Sequence, residues 1–143
     1  MVSGQICRAQ ANTFLEALFR TKNSNGTVTN HYIGLSTTEP DVNGGNITEP
    51  SAATGYERRE LQEMGAASDG QIQNSSIIFM GESLGDGWGT ITHFFISKSK
   101  TATPHFHAPL NSAIQVPAGY VPIFRKNALI VGLDKPELDI PET

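Results

Sequence analysis

The pair His105-Phe106-His107 holds the residue types with the most evident chemistry in this chain. Two residues apart on an extended strand, two imidazoles point to one face and could reach a single metal ion. Two histidines do not close a site, and His31 or His93 would have to supply a third ligand from elsewhere in the chain. The simpler expectation is exposed or hydrogen-bonded histidines with no metal and no cofactor, lining a symmetry axis if the chain is an oligomer. Carboxylates pair as Glu57 with Glu60 and as Glu82 with Asp86, in charged or flexible stretches where a solvated surface is the expected role. Cys7, the one cysteine, has no recognisable base near it and is expected as a small apolar packing residue. The Gly81 to Gly87 stretch is glycine-rich but lacks the lysine and the following helix of a phosphate loop, and there is no Gly-x-Ser-x-Gly elbow. No catalytic residue is therefore assigned, and an enzyme is not expected.

The elements that would position these residues centre on Gly85 to Lys98. Asp86-Gly87 provides a tight turn, and Thr90 to Ile96 suits a pleated surface. Alternation places Ile91, His93 and Phe95 on one face and Thr92, Phe94 and Ile96 on the other. Both faces are largely apolar, which predicts an interior strand covered on both sides. Trp88, the sole tryptophan, opens this strand and is expected as a core anchor before a sugar-stacking platform.

An N-terminal helix is predicted over about residues 3–20. Cys7, Ala11, Phe14, Leu15 and Leu18 form its apolar face, Ser3 its N-cap, and Asn23 to Gly26 its end. Thr27 to Ser36 reads as a strand. Thr37 to Gly55 reads as a long polar loop, and its Glu39, Pro40 and Asn43 are candidate contact residues. Tyr56 to Met64 reads as a charged edge strand, Asp69-Gly70 as a turn and Asn74 to Met80 as a strand. His105 to Leu110 and Ser112 to Val116 read as two short extended pieces, and Pro117 to Tyr120 turns the chain into Val121 to Phe124. Lys126 to Asp134 is an apolar run expected to be covered on both faces. Residues 135–143 carry Pro136 and Pro141 and are expected as an extended C-terminal arm whose Leu138 and Ile140 dock elsewhere.

The 143 residues suit one domain over 1–134, mainly β: an antiparallel β-sandwich or jelly-roll-like fold with one helix. The net charge is −4 and the longest basic run is Arg58-Arg59, so a nucleic-acid partner is not expected. The opening residues lack a basic leader and no apolar run approaches a membrane span, so synthesis without export and no membrane partner are expected.

The order of segments carries a resemblance. Tyr32-Ile-Gly-Leu-Ser-Thr-Thr-Glu-Pro40, then Gly55-Tyr-Glu-Arg58, then Asn74-Ser-Ser-Ile-Ile-Phe79, then Trp88-Gly-Thr-Ile-Thr-His93 resembles a family of small tailed-bacteriophage virion proteins often labelled tail fibre proteins. The likeness spans about residues 6 to 134. It departs after the Trp88 strand, where the family usually continues toward a Gly-Ile/Leu-Phe/Tyr-Asp-Ala element, and beyond the shared core at 135–143. The resemblance implies a structural virion protein made in the host bacterial cytoplasm. Its partners would be other phage virion proteins, further copies of itself (a trimer among the closed arrangements) and a host surface receptor. Small β-sandwich virion proteins also decorate capsids, so head decoration is the alternative, and a carbohydrate-binding module using Tyr56, Trp88 or Tyr120 a further one.

Overall fold

The computed structural model describes residues 6–20, 31–61 and 64–133. Among these residues one α-helix, α1 (Arg8–Arg20), precedes eight strands: β1 (Tyr32–Ser36), β2 (Arg59–Glu60), β3 (Gln71–Gln73), β4 (Ile78–Phe79), β5 (Gly89–Ser97), β6 (Phe106–Val116), β7 (Ile123–Phe124) and β8 (Ile130–Gly132), with a single 3-10 turn at Ala52–Thr54 between β1 and β2. All the pairings are antiparallel. A four-stranded sheet has the order β2-β1-β5-β6, and two ribbons pair β3 with β8 and β4 with β7. The mainly antiparallel β fold with one leading helix is as the sequence predicts. The N-cap expected at Ser3, the turn at Asn23 to Gly26 and the arm with Leu138 and Ile140 lie outside the described residues.

The interior position of β5 is met: β1 flanks it on one side and β6 on the other. Phe95 and Ile96, successive residues, are both fully buried, so both faces are covered there. The register against β6 shifts between Ile91 and His93, which breaks strict alternation. As a result Ile91 and Ile96, on opposite faces by parity, belong to one core cluster with Leu15, Ile33, Ile72 and Leu129. Phe95 occupies the other side of the sheet, against Gly34. A methyl at Gly34 would fall within the Phe95 ring. Gly34→Ala is therefore expected to cost about 1–3 kcal/mol from overpacking, read as a lowered urea midpoint; an unchanged midpoint would mean that the ring moves aside freely.

Several local expectations are corrected. The helix buries Ala11, Leu15 and Phe19, one face at i, i+4, i+8 spacing, while Phe14 is half-exposed. Cys7 precedes the helix, accepts from the Ala11 N–H at 2.9 Å and is exposed, so it does not pack. The 74–80 strand is broken: β3 ends at Gln73 and β4 is confined to Ile78–Phe79. Asn74 causes the break, because its buried amide donates to the carbonyls of Ser76 and Arg125 and its oxygen accepts from Leu129 N–H. The two pieces around Leu110 are instead one strand, β6, which carries the irregularity opposite Thr92. The described part of the run, 126–133, is covered on one face: Leu129 and Val131 are buried and Ile130 between them is exposed, as is Leu133 past the strand end. Its residues 126–128 form a turn, with Asn127 at φ 65.

Candidate functional site

The 37–55 segment is a loop as predicted, and it is braced by its own hydrogen bonds. Thr37 N–H donates to Thr48 at 2.9 Å, and Thr38 Oγ1 donates to the Asn46 carbonyl at 2.6 Å. At the tip, Asp41 Oδ1 accepts from the N–H groups of Asn43 and Gly45, both at 2.8 Å. Gly44, at φ 80, packs so closely against Pro104 that a Cβ would meet its carbonyl oxygen. This turn presents Val42, 95% exposed, and the exposed Asn43; Glu39 is exposed and Pro40 buried.

The base of the loop is tied to the sheet through Glu49. Its carboxylate accepts from Arg58 Nε at 3.0 Å and Nη2 at 3.2 Å, and from the Tyr56 hydroxyl at 2.7 Å. Arg58 is 5% exposed. Its Nη1 also donates to Ser97 Oγ and to the carbonyls of Ser99 and Ala102, and the guanidinium lies 4.8 Å from the Phe95 ring centroid. Tyr56 accepts from Leu35 N–H at 2.9 Å. Burial pushes the Tyr56 phenol far above the ordinary tyrosine range, so it stays a neutral donor to Glu49. The Gly55-Tyr-Glu-Arg58 motif is thus a brace: Tyr56 and Arg58 are two apart and turn inward together, although Arg58 was expected among charged edge residues. The edge strand itself is met in the shorter β2, which ends the sheet beside β1. Sequence reasoning missed Glu49 and Ser97; the inward parity of Arg58 with Tyr56 was the available signal.

A second loop joins the first. The Thr54 carbonyl accepts from Leu84 N–H and from Trp88 Nε1, both at 2.9 Å. Ser83 N–H donates to Tyr120, and Gly119 N–H to Ser83. Residues 51–55, 83–88 and 116–120, distant in sequence, therefore form one surface with Leu84, Asp86 and Tyr120 exposed. Trp88 is 3% exposed and meets Tyr56 edge-on at 5.4 Å. Of the three aromatic residues considered as platforms, Tyr120 is at the surface while Tyr56 and Trp88 are inside.

His105 and His107 are both exposed, at the start of β6. The histidine that reaches His105 is His31, with ring centroids 5.3 Å apart. His31 is buried, its Nε2 is 2.8 Å from the Leu18 carbonyl, and its Nδ1 has no hydrogen-bond partner. The Nε2–H tautomer satisfies the carbonyl, and a second proton would sit on a buried, unpaired nitrogen. His93 is held elsewhere, with Nδ1 2.8 Å from Thr92 Oγ1. Among the described residues no group of three His, Cys, Asp or Glu side chains could hold a metal ion. Glu57 lies 3.2 Å from both Arg59 and Lys100, and the three border an open cleft of about 430 Å³.

Burial lowers the pKa of His31. Desolvation of the His105 ring where it packs against His31 and Phe106 lowers that of His105 to about 4 although the residue as a whole is exposed, with His31 and Lys98 adding repulsion there. Exposure of His105 to solvent moderates the repulsion. The native state thus binds fewer protons than the unfolded chain below the ordinary histidine value of about 6.5. This stability is fully present above that value and is lost as pH falls from about 6.5 toward 4. The urea midpoint is expected to drop between pH 7.5 and 5, and to drop less in His105→Asn. An equal drop in the variant would remove His105 as a cause.

In this mainly antiparallel β protein the buried Tyr56, Arg58 and Trp88 hold surface loops in place. Residues 5–132 match the family described as podophage GP4 fiber I protein gp80, and the chain belongs to that family. The match bears out the resemblance to tail fibre proteins carried by the ordered motifs. No curated protein matches the chain. Among the described residues, no helix is long and apolar enough to cross a membrane.

Proposed function

We propose that this chain is a non-enzymatic structural component of a tailed-phage virion, a fibre or tail-associated protein that acts by self-association and by docking on the particle. The family match over 5–132 carries the reading. The geometry supports it: the matching motifs contain Tyr56, Arg58 and Trp88, whose polar atoms are engaged with Glu49, Ser97 and Thr54 inside the fold. The working surfaces are then the braced tip with Glu39, Val42 and Asn43, and the joined loops with Leu84 and Tyr120. Partners are other virion proteins, further copies of the chain and a host surface receptor, with many weak contacts multiplied by valency.

The deciding measurement is the number of copies per purified particle, with the major capsid protein as internal standard. A count of a few to a few tens is expected. Hundreds of copies would replace the reading with capsid decoration, and absence from the particle would overturn it.

A further inference from the structure

The strand β6 ends the four-stranded sheet, and among the described residues it pairs with β5 alone. Such an edge is normally guarded by charge, proline or a bulge. Phe106 to Val116 contains no Asp, Glu, Lys or Arg; Pro109 and the register irregularity over residues 110–113 interrupt the edge, and beyond them Ile114 and Gln115 are exposed and regularly paired with β5. Beside the edge, between β6 and β7, an apolar slot of about 280 Å³ is lined by Phe94, Leu110, Ile114, Ile123 and Phe124, with Asn111 and Ser112 also in its lining. Ile114 and Ile123 are each 40% exposed. A free backbone edge next to an apolar slot is the arrangement by which sheets accept an extended peptide: the backbone gives affinity and alternate side chains fill the slot. Arg125 and Lys126, both exposed, follow Phe124 at one end, and neither is in an ion pair among the described residues.

The chain itself contains a segment of matching chemistry. In Lys135-Pro-Glu-Leu-Asp-Ile-Pro-Glu-Thr143, Leu138 and Ile140 are two apart, so an extended backbone puts both on one face and Glu137 and Asp139 on the other. Pro136 and Pro141 disfavour a helix. Residues 134–143 carry four acidic side chains against one lysine, opposite in sign to Arg125 and Lys126. The last described strand runs away from the slot: Ala128 lines it, whereas Leu133 N–H donates to Gly70 at the far end of the β3–β8 ribbon. From there ten extended residues reach at most about 33–36 Å, enough to meet an adjacent molecule. We infer that residues 135–143 of a second copy add to the β6 edge, with Leu138 and Ile140 in the apolar slot and the acidic side chains toward Arg125 and Lys126. This deepens the proposed self-association and rests on it.

The test uses the full chain with Cys7→Ser. Equal amounts of an Ile114→Cys variant and an Ile140→Cys variant are mixed and mildly oxidised. The mixed disulfide dimer is expected at least about tenfold above that formed with a control cysteine at exposed Ala53, because docking raises the local thiol concentration. Adding Leu138→Asp to the Ile140→Cys chain should return it to the control level. A yield equal to the control, or one indifferent to Leu138→Asp, overturns the inference. Quantitative intrachain closure in the Ile114→Cys, Ile140→Cys double variant at high dilution overturns the second copy as the source. Cross-linking of the Ile114→Cys slot in whole particles to a different polypeptide, without the mixed dimer, overturns the occupant. The mixing assay needs no particle, so its failure is separate from a failed copy count.

Discussion

Arg58→Ala is expected to destabilise the chain by about 3–5 kcal/mol, the range for breaking one side of a buried ion pair. The guanidinium makes five hydrogen bonds, two to Glu49 and three to Ser97, Ser99 and Ala102. Removing it leaves Glu49, whose side chain is 26% exposed, without its cation and takes the Arg58 donor from the Ala102 carbonyl, while the Ser99 carbonyl keeps its bond from the Ser97 hydroxyl. The partial exposure of Glu49 lets water replace some of the loss, which favours the lower end of the range. Arg58→Lys should recover little of it, since an ammonium cannot span the carboxylate on one side and Ser97 on the other. In urea unfolding, a double-mutant cycle with Glu49→Gln should return a coupling of more than about 1 kcal/mol. Additive single effects would mean that the two residues act independently and that the loop is held by other contacts.

Trp88→Ala is expected to cost a similar amount, about 3–5 kcal/mol for a buried aromatic truncated to a methyl. Three losses combine: the volume beside Tyr56, the edge-on ring contact, and the Nε1–H donated to Thr54. The Thr54 carbonyl keeps its bond from Leu84 N–H, so Trp88→Phe, which removes the donor and retains much of the ring, should cost only about 0.5–1.5 kcal/mol for the hydrogen bond plus the lost volume. Amide exchange should quicken in both 51–55 and 83–88, because the same carbonyl holds both. This outcome also separates the function classes. A Trp88→Ala chain that kept its stability and lost binding to a glycan would replace the structural reading with a carbohydrate-binding one.

The proposed docking role would give the brace a purpose: a loop that meets a partner already ordered loses less conformational entropy on docking. The Asp41 turn, the Glu49–Arg58–Tyr56 cluster and the Thr54 carbonyl meet that cost during folding. Val42, Asn43, Leu84 and Tyr120 remain outside, on hydrogen-bonded loops.

By itself the sequence determined what depends on neighbouring residues and on their order. Turn residues and period-2 patterning gave the antiparallel β class, the helix, the polar loop, the edge character of the Tyr56 to Met64 segment and the interior position of β5; the ordered motifs gave the family. The tertiary structure decided what depends on residues far apart meeting. Asn74 breaks a run that reads as one strand, because its amide bonds to Arg125 and Leu129 outweigh local strand propensity. Ile130 is exposed since no segment among those described covers that face of β8, a matter of layer count that no local pattern encodes. His31 meets His105 and Glu49 meets Arg58 through sheet order, so the brace and the histidine pair became legible only once β1, β2, β5 and β6 were in register. Local sterics and hydrophobic period act within a few residues, whereas each of these meetings is set by the sum of many weak contacts between distant segments.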